Sequence, residues 1–159
     1  MQFRVGVGVD VHPWVRGRKL YLGGVEIPYD RGLAGHSDGD VLLHALMDAL
    51  LGGMGLGDIG EYFPPSDERY RGISSLFLLE VVRDKIKEKG GEVVNIDAVV
   101  LLEKPYLTPY KEKMKETIAQ VLGMEKERIN IKAGTCEKLG FVGREEGVVS
   151  IVTALLKVK

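Results

Sequence analysis

The sequence predicts an α/β sandwich, of the α+β kind, in which one mixed β-sheet carries helices on one face. Segments with alternating or β-branched apolar residues indicate strands, and longer segments with apolar residues at helical spacing lie between capping signals. Along the 159 residues these segments follow the order β-β-α-α-β-α-β-β. We expect residues 1–159 to form a single domain, because no linker or repeat divides them.

The first strand is predicted over Phe3 to His12, where side chains alternate between two faces. The odd positions are apolar. The even positions hold Gly6 and Gly8 and then Asp10 and His12. Small residues before two polar ones leave room for a bulky element over that face.

A hairpin or bulge and then a helix are predicted next. Residues 19–27 carry Gly23-Gly24 in their middle, which is typical of a tight turn between strands. Ser37 or Asp38 is predicted to cap a helix that runs to about Gly52.

The middle of the chain contains a connection and a second helix. Gly52 to Phe63 is rich in glycine, and Pro64 to Asp67 indicates an ordered start to a mobile loop. The second helix begins at Ser74 or Ser75 and stops at Gly90-Gly91.

Three strands and one helix complete the pattern. Glu92 to Glu103 is β-branched and apolar, as in a buried strand, and Thr108-Pro109 opens a helix that ends near Gly123. Arg128 to Thr135 alternates. Gly147 to Val158 favours a strand, with a helix as the weaker alternative.

Composition excludes several classes of protein. The 22 basic and 23 acidic side chains give a net charge of −1, so no basic face for nucleic acid is expected. The single cysteine, Cys136, excludes an internal disulfide and is typical of the reducing cytoplasm. The N-terminus lacks the apolar run of a signal peptide, and no segment approaches membrane-spanning length.

Two histidines and an aspartate indicate a metal site. Asp10 and His12 point to the same side of the first strand, and His44 on the following helix could supply a third ligand. Three ligands with an open fourth position are typical of catalytic zinc. The alternative is that Asp10 caps a turn and the histidines are ordinary surface residues; the spacing does not decide between them.

Neighbours of His44 suggest how its ring is oriented. Asp40, His44 and Asp48 share one helical face, and we predict that Asp48 accepts a hydrogen bond from the imidazole. Asp38 and Asp40 are expected only to complement the positive end of the helix. The pair His36-Ser37 just before the helix suits a phosphate, although such a pair can also be a simple cap.

Several motifs are distinctive in combination. They are Gly8-Val9-Asp10-Val11-His12, Gly23-Gly24-Val25-Glu26-Ile27-Pro28, His36-Ser37-Asp38-Gly39-Asp40-Val41-Leu42-Leu43-His44, Gly57-Asp58-Ile59-Gly60-Glu61-Tyr62-Phe63-Pro64, Thr135-Cys136-Glu137-Lys138-Leu139-Gly140-Phe141-Val142-Gly143-Arg144 and Glu146-Gly147. Together they closely resemble the family of 2-C-methyl-D-erythritol 2,4-cyclodiphosphate synthases, enzymes of the non-mevalonate isoprenoid route. The resemblance runs from the first strand to the last.

The resemblance implies a reaction and two cations. The substrate is a cytidine diphosphate ester whose 2-phosphate attacks its β-phosphate, which gives the cyclic diphosphate and releases CMP. Asp10, His12 and His44 match the zinc ligands, and Glu137 matches the ligand of a second divalent ion, Mg²⁺ or Mn²⁺.

The resemblance also assigns individual residues. His36 and Thr135 match positions that stabilise the transition state, and Ser37 matches one that holds substrate. The implied ribose contacts are Asp58, Ile59 and Gly60, and the segment from Phe63 to Asp67 closes over the methylerythritol. The implied cytosine pocket is the segment from Leu102 to Thr108, with contacts at Leu102, Lys104, Pro105, Tyr106, Leu107 and Thr108, and Gly134 and Cys136 are further implied substrate contacts. Tyr106 stands where the family often has lysine, and Gly134 and Cys136 stand where it often has threonine.

Family members are homotrimers with each active site shared between adjacent subunits, and the resemblance implies the same assembly here. It further implies that Phe141, Arg144 and Glu146 line a cavity on the threefold axis that can bind an isoprenoid diphosphate. The alternative for Arg144 is an ion pair with Glu145 or Glu146.

Two other functions fit the metal ligands. A zinc-dependent phosphoesterase would use the same residues to deliver a metal-bound water. A non-catalytic module would bind nucleotides or isoprenoids beside a structural metal. The sequence shows no second histidine cluster for a dimetal hydrolase and no His-Glu-x-x-His motif.

Overall fold

A computed structural model describes residues 1–159 as a mixed sheet with helices, as predicted. The strands are β1 (Gln2–Arg16), β2 (Leu20–Leu22), β3 (Val25–Ile27), β4 (Arg31–Leu33), β5 (Gly91–Leu101), β6 (Ile129–Gly134) and β7 (Gly147–Val158). The helices are α1 (Val41–Gly53), α2 (Ile59–Tyr62), α3 (Ser75–Glu88), α4 (Lys111–Leu122) and α5 (Gly140–Gly143). Five strands form one sheet in the order β4-β1-β7-β5-β6, and β2 pairs with β3 in a separate hairpin. Only β5 and β6 run parallel. No helix is long and apolar enough to cross a membrane.

Glycines on β1 set the distance between the sheet and α1. A Cβ atom added to Gly6 would lie 1.7 Å from the carbonyl oxygen of Ala49, and one added to Gly8 would lie 1.9 Å from that of Ala45. The helix backbone therefore rests directly on the strand. The next two residues on this face are Asp10 and His12, so the packing brings them under the first turn of α1.

The core lies between the helices and this face of the sheet. One cluster of 32 buried apolar residues includes most of α1, the inner positions of β5, β6 and β7, and the apolar stripes of α3 and α4. On β1 the opposite face is open, because Phe3, Val5, Val7, Val9 and Val11 are 49–72% exposed.

The predicted cap of α1, Ser37 or Asp38, was wrong by three or two residues. The N-cap is Asp40, whose Oδ1 accepts from the backbone N–H of Leu43 at 3.0 Å, and neither Ser37 nor Asp38 fills this role. Asp40 also accepts from Gly23 at 3.0 Å and Gly24 at 2.8 Å, and so ties the hairpin turn to the helix. Ser37 and Asp38 instead contact groups on α1 and α3.

Other elements confirm or extend the sequence pattern. The hairpin is present, and Gly23 and Gly24 have positive φ of 60° and 78°, as its turn requires. Gly147 to Val158 is a strand, so the helical alternative was wrong. The prediction missed the short elements β4, α2 and α5.

Candidate functional site

Three predicted metal ligands converge where β1 meets α1. Oδ2 of Asp10 lies 2.7 Å from Nε2 of His12 and 3.2 Å from Nδ1 of His44. The two ring nitrogens are 3.2 Å apart. The predicted grouping is therefore present in the fold, and its atoms could share one ion.

The ring of His12 has a defined direction. Its Nδ1 lies 2.5 Å from the carbonyl oxygen of Ala34, which can only accept, so Nδ1 carries the proton. Nε2 of a neutral His12 ring then presents a lone pair to Asp10 and His44. This partner on the far nitrogen is typical of histidines that bind metals.

The donor set fits a divalent cation such as zinc. Oδ2 of Asp10 is buried and receives no directed hydrogen bond, although two imidazole nitrogens lie beside it. Nitrogen and oxygen ligands about 2.0–2.2 Å from zinc in a tetrahedron lie about 3.3–3.6 Å apart. The two separations of 3.2 Å here are near this range, and the third, 2.7 Å between Asp10 and His12, is shorter. Asp10 and His12 also shift each other's pKa. Burial raises the pKa of Asp10, but the two imidazoles outweigh it and hold that pKa below its ordinary value. Burial likewise lowers the pKa of His12, yet the Asp10 carboxylate raises it overall.

The predicted partner of His44 was wrong. Asp48 does not contact the imidazole. Its Oδ1 accepts from the backbone N–H of Ile59 at 2.8 Å, because the free N–H groups that begin α2 lie beside this turn of α1. The outer nitrogen of His44, Nε2, lies 3.0 Å from the hydroxyls of Ser37 and Ser75.

Hydrogen bonds also hold the segment that carries His36 and Ser37. Nε2 of His36 donates to the carbonyl of Asp67 at 2.9 Å, and the N–H of Gly72 donates to the carbonyl of His36 at 2.7 Å. The guanidinium of Arg18 donates to the carbonyls on both sides of His36, at Gly35 and Ser37. The loop that follows Phe63 is therefore bonded, through Asp67 and Gly72, to the segment that carries His36 and Ser37.

The first of two site cavities adjoins these ligands and has a volume of about 220 Å³. Its lining is Asp10, His12, His36, Ser37, His44, Ile59, Gly60, Phe63, Pro65, Tyr70 and Leu78. The sequence reasoning missed Tyr70 and Leu78, which look like ordinary apolar residues of a loop and a helix. It also missed Arg18 and Ser75, whose roles depend on contacts between distant segments.

The second cavity has a volume of about 240 Å³ and lies where β5 and β6 end. Its lining is Leu102, Glu103, Pro105, Tyr106, Leu107, Thr108, Ala133, Gly134 and Thr135. Most residues predicted to form or adjoin the cytosine pocket line this cavity, but Lys104 and Cys136 do not. Glu137, the predicted ligand of the second cation, lies outside it as well. That the cavity binds cytosine stays a prediction.

Glu103 shapes the turn beside the second cavity, a role that its place in the predicted cytosine segment, residues 102–108, did not indicate. Its two carboxylate oxygens accept from the backbone N–H groups of Cys136 at 2.8 Å and Lys138 at 3.0 Å. Glu137 and Lys138 have positive φ of 53° and 65°, which these bonds help to hold. Thr135 and Glu137 are exposed on this turn.

Four other predicted site residues line neither cavity. Asp58 caps α2 through the N–H of Glu61, and Asp67 pairs with Arg69. Phe141 is exposed on α5, and Arg144 pairs with Glu146 at 2.5 Å, which is the alternative considered for it. Their contacts with substrate stay predictions.

The two cavities lie at the same end of the sheet but toward opposite edges. Asp10 pairs with Ser150, Ser150 with Val100, and Val100 with Ala133. These three steps between strands span about 14 Å at about 4.8 Å each. No residue lines both cavities.

Comparison with known proteins gives a consistent result. The model of the YgbB family matches residues 3–157. A protein of Agathobacter rectalis named 2-C-methyl-D-erythritol 2,4-cyclodiphosphate synthase is 60% identical over 147 residues, which cover 92% of this chain and 83% of that one. The bifunctional IspDF of Campylobacter jejuni superposes with a TM-score of 0.96 at 45% identity, over 99% of this chain and 43% of that one. A CDP complex of IspF from Plasmodium falciparum has a TM-score of 0.86 at 31% identity, over 99% of this chain and 97% of that one.

Proposed function

The chain belongs to the YgbB family, and from that premise we propose that it is a 2-C-methyl-D-erythritol 2,4-cyclodiphosphate synthase of isoprenoid biosynthesis. It converts 4-diphosphocytidyl-2-C-methyl-D-erythritol 2-phosphate to the 2,4-cyclodiphosphate. An oxygen of the 2-phosphate forms a bond to the β-phosphorus, the bond from that phosphorus to the bridging oxygen breaks, and CMP leaves with that oxygen. The reaction is therefore a lyase-type cyclisation without water.

The observation that carries the proposal is the convergence of Asp10, His12 and His44 on the wall of a cavity that His36 and Ser37 also line. These three residues would hold Zn²⁺, which when bound withdraws charge from the phosphate oxygens. Ser37 can donate a hydrogen bond to a phosphate oxygen. His36 can donate an N–H to the reacting phosphates once its bond to Asp67 is exchanged.

The chain needs no strong base for this reaction, because the nucleophile is already a phosphate anion. Its main tasks are to align the two phosphates and to keep water out. The apolar side chains of Ile59, Phe63, Tyr70 and Leu78 on the first cavity support the second task.

The second cavity supports binding of the cytidine part. Structures similar to this chain were solved with CDP, and the loop from Leu102 to Thr108 forms a pocket in the same fold. We propose that Thr135 contacts the diphosphate and that the Glu137 carboxylate would hold Mg²⁺ or Mn²⁺, which when bound would neutralise diphosphate charge. Both lie on the exposed turn that Glu103 holds.

We also propose a homotrimer in which each active site combines the first cavity of one subunit with the second cavity of its neighbour. The exposed apolar face of β1 supports association, because a solvated row of five apolar side chains on one strand is unfavourable. The position of the two cavities toward opposite sheet edges supports a head-to-tail arrangement that closes into a ring.

Two further parts of the proposal concern the axis and the compartment. Phe141 offers an exposed apolar surface. Arg144 pairs with Glu146 and would have to exchange this partner for the diphosphate of an isoprenoid ligand on the threefold axis. Unchanged melting temperature and activity with farnesyl diphosphate would contradict that part. The free thiol of Cys136 supports a cytoplasmic location.

Phosphorus NMR tests the function directly. The protein is incubated with the cytidine diphosphate substrate, Zn²⁺ and Mg²⁺, and the products are followed with time. Cyclic diphosphate and CMP in equal amounts are expected. Linear phosphate products would indicate a phosphoesterase, and no turnover would indicate a binding module; either result would overturn the proposal.

A further inference from the structure

We propose that Asp38 and Ser75 are positioning residues that fix the ring of His44, so that its Nδ1 lone pair faces Asp10 and His12. The purpose of this arrangement rests on the proposed metal-dependent function, but its geometry is independent of it. Ser75 and Asp38 thus take the role that the sequence predicted for Asp48, which is to orient the imidazole of His44.

The direction of each hydrogen bond can be deduced from Asp38. Its Oδ1 lies 2.5 Å from Oγ of Ser75, its Oδ2 lies 2.9 Å from the N–H of Ser75, and the N–H of Asp40 reaches Oδ1 at 3.1 Å. An ionised carboxylate only accepts. The hydroxyl proton of Ser75 is therefore committed to Asp38.

The commitment of that proton determines the tautomer of His44. Ser75 Oγ, 3.0 Å from Nε2, has no proton left to donate and can only accept. Nε2 must therefore carry the proton. In the neutral ring, Nδ1 then has the lone pair, and this is the atom 3.2 Å from Asp10 Oδ2 and from His12 Nε2.

The two serines beside His44 consequently have different tasks. Ser37 Oγ is also 3.0 Å from Nε2, but its hydroxyl contacts no other side chain or backbone acceptor. It can accept a share of the Nε2 proton while its own proton stays available to a phosphate in the cavity. Ser75 orients the ring, and Ser37 serves the substrate.

Burial strengthens the chain of hydrogen bonds. Ser75 is 0% exposed and His44 is 9% exposed, so water cannot replace the serine hydroxyl. The three residues come from three segments: His44 from α1, Ser75 from the start of α3, and Asp38 from the loop between β4 and α1. The N–H of Asp38 also donates to the carbonyl of Ile73 at 3.1 Å, which joins this loop to the segment before α3.

A matched pair of variants, Ser75→Ala and Ser37→Ala, tests the inference, because each removes one hydroxyl at the same distance from the same nitrogen. Zinc affinity is measured by competition with a chelator in the full-length protein. Loss of a partner to a ligating histidine costs about 10–100-fold in metal affinity, so Ser75→Ala should weaken zinc binding by about that factor. Ser37→Ala should change it by less than about 3-fold, and lower turnover instead. Equal effects of both variants on zinc affinity, or a larger effect of Ser37→Ala, would overturn the proposal.

Nitrogen-15 NMR of the histidines in the metal-stripped wild-type protein gives a second readout that needs no variant. His44 is expected as the Nε2–H tautomer, and an Nδ1–H ring would overturn the assignment. If Ser75→Ala does not fold, Asp38→Asn replaces it and should produce a smaller loss of zinc affinity. Failure of the proposed function would appear as absent cyclisation with the tautomer and zinc results intact, so the two failures are distinguishable.

Discussion

The two cavities at one end of the sheet differ in how closely their side chains are held. We call the first cavity with Asp10, His12 and His44 the metal half of the proposed site, and the second cavity with the turn of Thr135 and Glu137 the nucleotide half. In the metal half the side chains of Asp10, His12 and His44 are 11–26% exposed and are fixed by contacts from β1, α1 and the loops around them. In the nucleotide half Thr135 and Glu137 are exposed, and Tyr106 is 76% exposed. Contacts within the chain therefore hold the side chains of the metal half in place. The nucleotide half has an ordered backbone, but its side chains are exposed.

The largest expected effect comes from removing a ligand of the metal half. His44→Ala should abolish stoichiometric zinc binding and lower turnover by about 10⁴-fold or more, because loss of the cation leaves the phosphate charge unscreened. Zinc content after gel filtration and the rate of CMP release measure this. The variant should keep its fold by circular dichroism. Full zinc content in this variant would count against the ligand set.

Glu137→Gln changes the nucleotide half and should lower turnover without affecting zinc binding by the metal half. Turnover should fall by about 10²–10³-fold, because one cation contact to the diphosphate is weakened. Zinc content should be unchanged, since Glu137 lies outside the metal half. Zinc content after gel filtration and the rate of CMP release measure this variant as well. Loss of zinc from Glu137→Gln would mean that Glu137 affects the metal half.

Paired glycine substitutions compare the backbone of the two halves. Gly8→Ala should cost about 3 kcal/mol of unfolding free energy or more, because its Cβ would lie 1.9 Å from the carbonyl oxygen of Ala45 under α1. Gly134→Ala should change stability by less than about 0.5 kcal/mol, since nothing lies within 4 Å of its added Cβ and its φ is not positive.

Denaturant unfolding of both glycine variants checks the comparison. The Gly134 variant should show weaker CDP binding at normal stability, because Gly134 lines the second cavity. Equal stability of the two variants would mean that α1 can move away from β1.

The smallest effect concerns the buried Asp40 that joins α1 to the hairpin. Burial and the charge of Asp38 raise the pKa of Asp40 to about 6, against the backbone N–H groups of Leu43 and Gly24. The unfolded chain therefore loses this proton first, and the contribution of Asp40 to stability falls as the pH rises from about 4 to about 6.

Asp40→Asn removes this titration. The variant should be about 2 kcal/mol less stable at pH 4, because the amide cannot accept all three N–H groups. The gap to wild type should narrow by pH 6 and then stay constant. Unfolding at pH 4, 5, 6 and 7 with saturating zinc tests it, and a gap that widens with pH would contradict the raised pKa.

Much of the fold followed from local pattern. The alternation in residues 3–12, the Gly23-Gly24 turn and the apolar spacing of α3 each depend on neighbours in sequence, so they were predictable. The two glycines of β1 also indicated that something large packs above them, and this is α1. The short elements β4 and α5 carry too few residues to show a period.

The metal ligands Asp10, His12 and His44 were predictable, because their residue types suit zinc and because they lie in motifs that resemble the family. The partners of those ligands were not. Asp48 has helical spacing from His44, but the backbone N–H of Ile59 attracts it. Ser75, 31 residues from His44, takes that place through a contact that only the packing of α3 on α1 creates.

The central claim is that a working site needs the metal half of one chain and the nucleotide half of another. Co-expression of the two inactive variants His44→Ala and Glu137→Gln, each with its own tag, tests this most directly. In every trimer that contains both variants, about one site in three combines the intact metal half of a Glu137→Gln subunit with the intact nucleotide half of a His44→Ala subunit, so about a third of the wild-type activity per site should return.

The hybrids are purified through both tags, and the rate of CMP release is compared with that of each parent alone. Recovery of activity in the hybrids, with neither parent active, is the result that a shared site predicts. Hybrids no more active than the mean of their parents would contradict it and place both halves of the working site in one chain.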